Sequence, residues 1–250
     1  MTPAQRHRAR MHARTGAAST AVPGGARTRA AATEYELQKA RLGVDLRRLK
    51  EIQSLESKIA LKRELLPDYA DWVAGALESD TGTDDVILTH IMIWRIDTGD
   101  YAGALPLAEY VLRHQLPLPE RFDRTPATLI VEEIADAALK LFGQGETADL
   151  SAFLDGEVLE EVDRLATDQD MPDQVRAKLE KAQGLAALRA AEIIEPDADG
   201  PAGSKRGRFE IAQRRLLRAL ELDPGSGVKK RLETIGREIR KLADPDGDTP

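Results

Sequence analysis

The chain has 250 residues, 42% of them hydrophobic, which is enough to bury a core in one large domain or two small ones. Aromatic residues make up only 4%, while alanine, leucine, arginine and glutamate recur throughout, so the composition predicts an all-α fold. The formal net charge is −7 and there is no cysteine, which excludes disulfides, thiolate zinc sites and cysteine nucleophiles.

Residues 1–32 predict a disordered basic arm, because they contain almost no large apolar side chain and no acidic residue. Their arginines contribute +6, which leaves −13 for the rest of the chain. Such an arm gains affinity for DNA by displacing counterions from phosphates, whatever the base sequence. The alternative interpretation is a solubilising tail. The candidate DNA-binding residues of the arm are Arg6, Arg8, Arg10, Arg14, Arg27 and Arg29.

Residues 33–66 contain no proline and predict one long amphipathic helix. Arg47 and Arg48 would extend the basic surface of the arm onto this helix. Apolar residues recur along it at steps of three and four, as in a short coiled-coil seam. This stripe either packs on its own chain or joins copies of the chain, so it is a candidate oligomerisation element. Its members are Leu42, Leu46, Leu49, Ile52, Leu55 and Ile59.

Residues 67–243 predict a helical domain that begins at Pro67 with PDYADWVAGALES. The turn TGTDD follows, with Thr83 or Asp84 as the expected N-cap of the next helix, VILTHIMIWRI. That helix is expected to end near Asp97. Gly99 would supply the left-handed C-cap, and Asp100 would cap the helix that comes next.

A short motif, G-x-[FY]-x-x-A, occurs at residues 99–104 and again at residues 207–212. In the second copy Ala219, Leu220 and Pro224 follow at the spacing of a tetratricopeptide-like (TPR-like) repeat. We therefore expect two degenerate TPR-like helical hairpins, at about 84–116 and 172–224.

Further helices are expected between and after these hairpins. Thr125-Pro126 is an N-cap followed by proline at the first helical position, and Gly143 is expected to end that helix. One helix is expected in LSAFLDGEVLEEVDRLA and a last one in VKKRLETIGREIRKLAD. KRGR at residues 205–208 is a second, smaller basic spot, and residues 244–250 form a short acidic tail.

The stretch from His90 to His114 raises the possibility of a metal site, with His90, Asp97 and His114 as ligands for phosphodiester hydrolysis. Ligands of one ion must converge within a few ångströms. His90 and Asp97 lie about two helical turns apart, roughly 10 Å, which is too far to share an ion directly. Helix packing and capping explain these residues, so no metal site is expected.

Other signals of catalysis or membrane association are missing from the sequence. There is no phosphate-binding P-loop, no GxSxG elbow and no HExxH zinc motif. No apolar run approaches the roughly 20 residues of a membrane span, and the basic N-terminus lacks the apolar core of a secretory signal. We therefore expect no membrane partner and a protein that stays where it is made.

Several blocks resemble, in the same order, the phage small terminase subunit family of gpM type, also called the terminase endonuclease subunit. They are MTPAQRH, KRELLPDYADWV, TDDVILTHIMIWRIDTGDYAGAL, RTPATLIVEE, DMPDQVRAKLEKAQGL and GVKKRLETIGREI, spread over residues 1–240. The resemblance implies a protein of a tailed phage or prophage, working in the cytoplasm of the bacterial host. It would bind viral double-stranded DNA at the packaging (cohesive-end) site and direct the large terminase subunit to cut and package the genome.

The resemblance also implies a homo-oligomer, and two alternatives stay open beside it. In the first alternative the chain is itself a metal-dependent terminase endonuclease, which is the only case that needs a cofactor, Mg²⁺. In the second it is a TPR-like adaptor that binds protein and no DNA. The catalytic residues are unknown, because no family residue maps to a position here. Some relatives end in a long tail rich in lysine, arginine and proline, whereas this chain ends in ADPDGDTP.

Overall fold

The computed structural model describes residues 25–144, 150–194 and 205–243, and all the regular elements in these ranges are helices. The predicted all-α class is confirmed for this part of the chain. The backbone divides into two compact units, residues 1–48 and 49–250, each of which is described by itself. No helix in the described ranges is long and apolar enough to cross a membrane.

The first unit contains most of helix α1 (Gly25–Glu51). Residues 1–24 of the predicted arm lie outside the described residues, whereas its last eight residues belong to this helix. Asp45 is 4% exposed and accepts a hydrogen bond from Arg48 at 3.2 Å, one turn further along α1. The helix therefore neutralises a buried carboxylate with a cation of its own.

The second unit begins with a break in the helix expected over residues 33–66. Helix α2 (Leu55–Leu65) starts after Ser54, whose backbone is extended at φ −66° and ψ 128°. The Ser54 hydroxyl accepts from the Ser57 amide at 3.3 Å and so caps the new helix. Since serine competes for backbone amides and favours caps, a local signal overrides the continuous apolar stripe, and two helices replace the one predicted.

A short 3₁₀ turn (Leu66–Tyr69) leads into α3 (Ala70–Ser79), followed by α4 (Val86–Thr98) and α5 (Tyr101–Arg113). Helix α4 is buried on almost all sides. Its Trp94 ring packs edge to face against the Tyr69 ring, with the ring centroids 5.9 Å apart. Both α2 and α5 pack against α4. The core of the first half of the unit therefore forms around α4.

The turns around α4 were predicted with one error. Gly99 adopts φ 79° and ends α4, and the Asp100 side chain accepts from the Gly103 amide at 3.0 Å, both as predicted. The N-cap of α4, however, is Asp85 and neither Thr83 nor Asp84. Its carboxylate accepts from Ile87 N at 2.8 Å and Leu88 N at 3.3 Å, which places the helix start one residue later.

Helix α6 (Pro126–Gly143) starts after Thr125, which accepts from the Thr128 amide at 3.2 Å, and ends at Gly143, as predicted. The single helix expected over residues 150–166 is two, α7 (Ser151–Leu154) and α8 (Glu157–Ala166). Gly156 separates them with φ 82°, a left-handed conformation that an α-helix does not continue through.

The C-terminal part consists of α9 (Asp173–Ile193), α10 (Lys205–Leu222) and α11 (Lys229–Ala243). Helix α9 packs against α6, α7, α8 and α10, and most extensively against α10. One apolar cluster joins α9, α10 and α11. Its buried members are Ala187, Ala191, Phe209, Ala212, Leu216, Val228 and Ile235.

A helix pair occurs at each of the two predicted hairpin positions, α4–α5 and α9–α10. The two copies of the G-x-[FY]-x-x-A motif nevertheless differ in the role of their glycine. Gly99 ends a helix, whereas Gly207 lies inside the first turn of α10. The aromatic and alanine positions agree better, since Tyr101, Ala104, Phe209 and Ala212 are all buried.

Close contact of α9 with α10 depends on Gly184. A Cβ atom on this residue would lie 2.7 Å from Leu216 Cδ2 and 3.3 Å from the carbonyl oxygen of Ala212. Leu216 is completely buried, so its side chain has little room to move aside. The absence of a side chain at residue 184 therefore sets how closely the two helices approach.

We predict that Gly184→Ala is less stable than Gly75→Ala by about 1–3 kcal/mol in urea unfolding. Both glycines lie within helices, so both variants gain the same helix propensity, but a Cβ on Gly75 would have no neighbour within 4 Å. The difference therefore isolates overpacking against Leu216. Equal stability of the two variants would show that α10 moves away at no cost.

Candidate nucleic-acid interface

The predicted DNA-binding arginines fall mostly outside the part of the chain that the structure describes. Arg6, Arg8, Arg10 and Arg14 precede the first described residue, and Arg27 and Arg29 belong to α1 without a described side chain. Of the remaining two, Arg47 is exposed and makes no ion pair with any described residue. Arg48 is paired with Asp45, with 46% of its side chain exposed. Arg47 is therefore the free cation of this pair.

The members of the predicted oligomerisation stripe differ in how much of each side chain is exposed to solvent. Leu42 and Leu49 are buried, with exposed fractions of 2% and 7%. Leu46, Ile52 and Ile59 are half-buried, while Leu55 is 67% exposed at the start of α2. Because Leu55 is the most exposed member, it is the one best placed to meet a second molecule.

The histidines and aspartates between His90 and His114 do not converge. Burial lowers the pKa of His90, and its neutral ring donates through Nδ1 to the Val86 carbonyl at 2.8 Å. Asp97 pairs with Lys62 on α2, and His114 Nε2 lies 2.7 Å from Asp80 Oδ1. Each of the three proposed ligands thus serves a separate structural contact.

Among the described residues, no group of three or more histidine, aspartate and glutamate side chains is arranged to hold a metal ion. The most buried carboxylate near the former candidate is Asp85. Burial raises its pKa, but its oxygens accept from two amides of α4 and from Trp72 Nε1 at 2.9 Å. Asp85 therefore caps α4 and also binds the Trp72 side chain.

Ion pairs hold the acidic middle of the chain together. Asp163 on α8 accepts from Arg176 on α9 at 3.4 Å and from Arg215 on α10 at 3.1 Å. Glu132 on α6 accepts from Lys178 at 2.9 Å, and that hydrogen bond lowers the pKa of Glu132. Most cations in this region therefore face a carboxylate and have no free charge to offer a ligand.

Basic residues outnumber acidic residues in α10 and α11. Residues 205–243 contain twelve lysines and arginines but only five acidic residues. The KRGR spot at the start of α10 was predicted from the sequence, whereas Lys229, Lys230 and Arg231 at the start of α11 were not. The signal was present as the run VKKR, but three adjacent cations are common on any exposed helix. Only their surroundings in the fold distinguish them.

Comparison with known proteins identifies the relatives of this chain. A model of the phage small terminase subunit family matches residues 39–174. The chain is also 41% identical, over 244 residues, to the protein named "Terminase, endonuclease subunit" of Escherichia phage P2. That alignment covers 98% of this chain and 88% of the phage P2 protein. No solved structure matches the chain significantly.

We predict that Glu132→Gln removes part of the acid sensitivity of folding. The pKa of Glu132 is lowered in the folded state, so its stabilisation is complete above the unfolded value of about 4.3 and is lost as pH falls through the folded value. The variant should be less stable by on the order of 1 kcal/mol at pH 7 and should approach the wild type below about pH 4.

Urea unfolding between pH 3 and pH 7 measures this difference. Glu78→Gln is the matched control, because Glu78 is exposed and forms no ion pair with a described residue. A constant gap between the Glu132→Gln variant and the wild type across this pH range would contradict the assignment.

Proposed function

This chain belongs to the phage small terminase subunit family, and from that premise we propose that it initiates genome packaging. In this role it binds viral double-stranded DNA at the packaging, or cohesive-end, site and directs the large terminase subunit to cut and package the genome. The observation that carries the proposal is similarity to the phage P2 terminase subunit over nearly the whole chain. The proposed place of action is the cytoplasm of the bacterial host.

The basic arm is the proposed first contact with DNA. It carries six arginines and no acid, and Arg47 continues its positive charge onto α1. Arginines that neutralise phosphates release counterions, which gives affinity without base recognition. The acidic residues 49–204, with a formal charge of −18, would repel DNA elsewhere. This distribution supports a contact restricted to the basic segments.

Self-association is proposed to use the apolar stripe of residues 42–59, in which Leu55 is the most exposed member at 67% and Leu46, Ile52 and Ile59 are half-buried. A second copy of the chain that covered these side chains would remove apolar surface from water.

The helix pairs α4–α5 and α9–α10 are proposed to be degenerate TPR-like hairpins that present a surface to the large subunit. Their support is the pairing of helices and the buried aromatic and alanine of each motif copy. The two hairpins differ in the backbone role of the motif glycine, since Gly99 ends α4 whereas Gly207 lies in the first turn of α10.

The second candidate function is an endonuclease carried by this chain itself. It is favoured by the name of the phage P2 relative, "Terminase, endonuclease subunit". Its acids would be distant in sequence, and it would require Mg²⁺ as cofactor.

We predict that the purified protein retards the cohesive-end duplex of its own phage in a gel-shift assay and leaves that duplex intact in Mg²⁺. A scrambled duplex of the same length should bind at least about tenfold more weakly, because base contacts add to the common phosphate contacts. A cut product that EDTA abolishes would instead establish the endonuclease. Absence of any DNA binding would favour the adaptor that binds only protein.

We predict that Leu55→Glu lowers the native mass of the oligomer in sedimentation velocity, while the subunit keeps its helical content in circular dichroism. A charge at this exposed position would be buried in the interface between copies but solvated in the single chain. Leu49→Glu is the comparison, since Leu49 is buried and the substitution should destabilise folding itself. If the Leu55→Glu variant is folded and its native mass is unchanged, the stripe does not form the interface between copies.

A further inference from the structure

The pair of helices α10 and α11 is strongly basic within an acidic chain. Residues 205–243 have a formal charge of +7, although the whole chain has −7. No acidic residue lies in the first turn of either helix, where the helix dipole would favour one. Positive charge is therefore concentrated in this one pair of helices.

Some cations of this pair are neutralised within their own helix. Arg206 pairs with Glu210 at 2.8 Å, Arg218 with Glu221 at 3.0 Å, and Lys241 with Glu238 at 3.4 Å. These exposed pairs at helical spacing cancel the charge that an approaching ligand would meet.

The three cations that open α11 are not neutralised in this way. Lys229, Lys230 and Arg231 are all exposed, and none of them forms an ion pair with a described residue. Successive helical residues point about 100° apart, so the three side chains spread around the first turn of α11. They therefore present separate charges over an arc of surface and cannot grip a single carboxylate together.

A fourth cation lies beside them. Lys181 on α9 donates through Nζ to the Ser226 carbonyl at 2.6 Å, in the turn just before α11. Burial lowers the pKa of Lys181, and the nearby charge of Arg231 lowers it further, although the charge of Asp223 opposes this shift. Like charges are thus crowded at the junction of α9 and α11. We name Lys181, Lys229, Lys230 and Arg231 the junction cluster.

Three acids lie near this cluster, and each has another partner. Asp223 attracts Lys181 and accepts from the Gly225 amide at 2.8 Å. Lys230 and Arg231 line a groove between α9, α10 and α11 that also contains Glu192 and Glu238. Glu192 accepts from Arg189 at 2.9 Å, and Glu238 accepts from Lys241. The free charge along this groove is therefore positive.

We propose that the junction cluster is a second DNA contact, which binds duplex phosphates regardless of base sequence. The inference rests on the proposed function, since it assumes that the chain meets DNA, and it adds a site remote in sequence from the arm. Duplex DNA carries one charge per about 1.7 Å of helix axis, which suits cations spread over an arc. An anion bound there would relieve the repulsion between Lys181 and Arg231.

The test compares two triple variants with the same change in net charge. Lys229→Gln, Lys230→Gln and Arg231→Gln together remove the free charges, and Arg164→Gln, Arg206→Gln and Arg218→Gln together remove charges that are paired with acids outside the groove. Binding of a scrambled 30-base-pair duplex is measured by fluorescence anisotropy from 50 to 300 mM NaCl. Thermal unfolding verifies that both variants are folded.

The first triple variant should lower the slope of log affinity against log salt by about 2–3 and weaken binding about tenfold at fixed salt, while the paired-cation variant stays near the wild type. Equal losses in the two variants would overturn the local site and indicate net charge alone. A wild-type slope in the first variant would overturn it too, even if that variant lost association with the large subunit.

Failure of this inference is distinguishable from failure of the proposed function. A further variant with all six arm arginines replaced by glutamine is measured in the same assay. If the wild type binds DNA and only the arm variant loses affinity, the proposed function stands and the junction cluster is excluded. If the wild type binds no DNA, both proposals are overturned.

Discussion

The close approach of α9 and α10 at Gly184 is the contact on which the C-terminal half of the molecule depends. Helix α9 also packs against α6, α7 and α8, so it connects α10 with the helices of the acidic middle of the chain. The same helix aligns Lys178 with Glu132 and Arg176 with Asp163. One residue without a side chain therefore lets α9 approach α10 closely, while other residues of the same helix form the ion pairs with α6 and α8.

Two electrostatic regimes coexist along the chain. In the acidic middle, carboxylates on one helix face cations on another, and the ion pairs serve the assembly of the domain. At the start of α11 the cations face solvent, and the nearby acids are employed elsewhere. The charged side chains of the middle helices therefore stabilise the fold, whereas the cations at the start of α11 are free to bind a partner. The family membership of the chain supplies the partner that fits a free positive surface.

Much of the local structure could be predicted from the sequence, because caps are short-range signals. Thr125, Gly99 and Asp100 act as expected, since each needs only neighbouring amides or its own backbone freedom. The cap at Ser54 was missed because the apolar stripe continues past it, and Asp85 was missed because Thr83 and Asp84 are alternative caps beside it. The site was harder, because the pairing of Lys178 or the freedom of Lys230 depends on residues far away in sequence. The arginines of the arm were evident from composition alone, without any geometry.

The charge asymmetry of the second unit has a kinetic consequence. Residues 49–204 carry −18 and residues 205–243 carry +7, so charge of opposite sign is segregated along the sequence of this unit. In the field of a polyanion α10 and α11 are attracted while the acidic residues before them are repelled, which favours encounters that begin at α10 and α11. Productive collisions are then enriched at low ionic strength, and screening over about 8 Å at physiological salt restricts this preference to the last stage of approach.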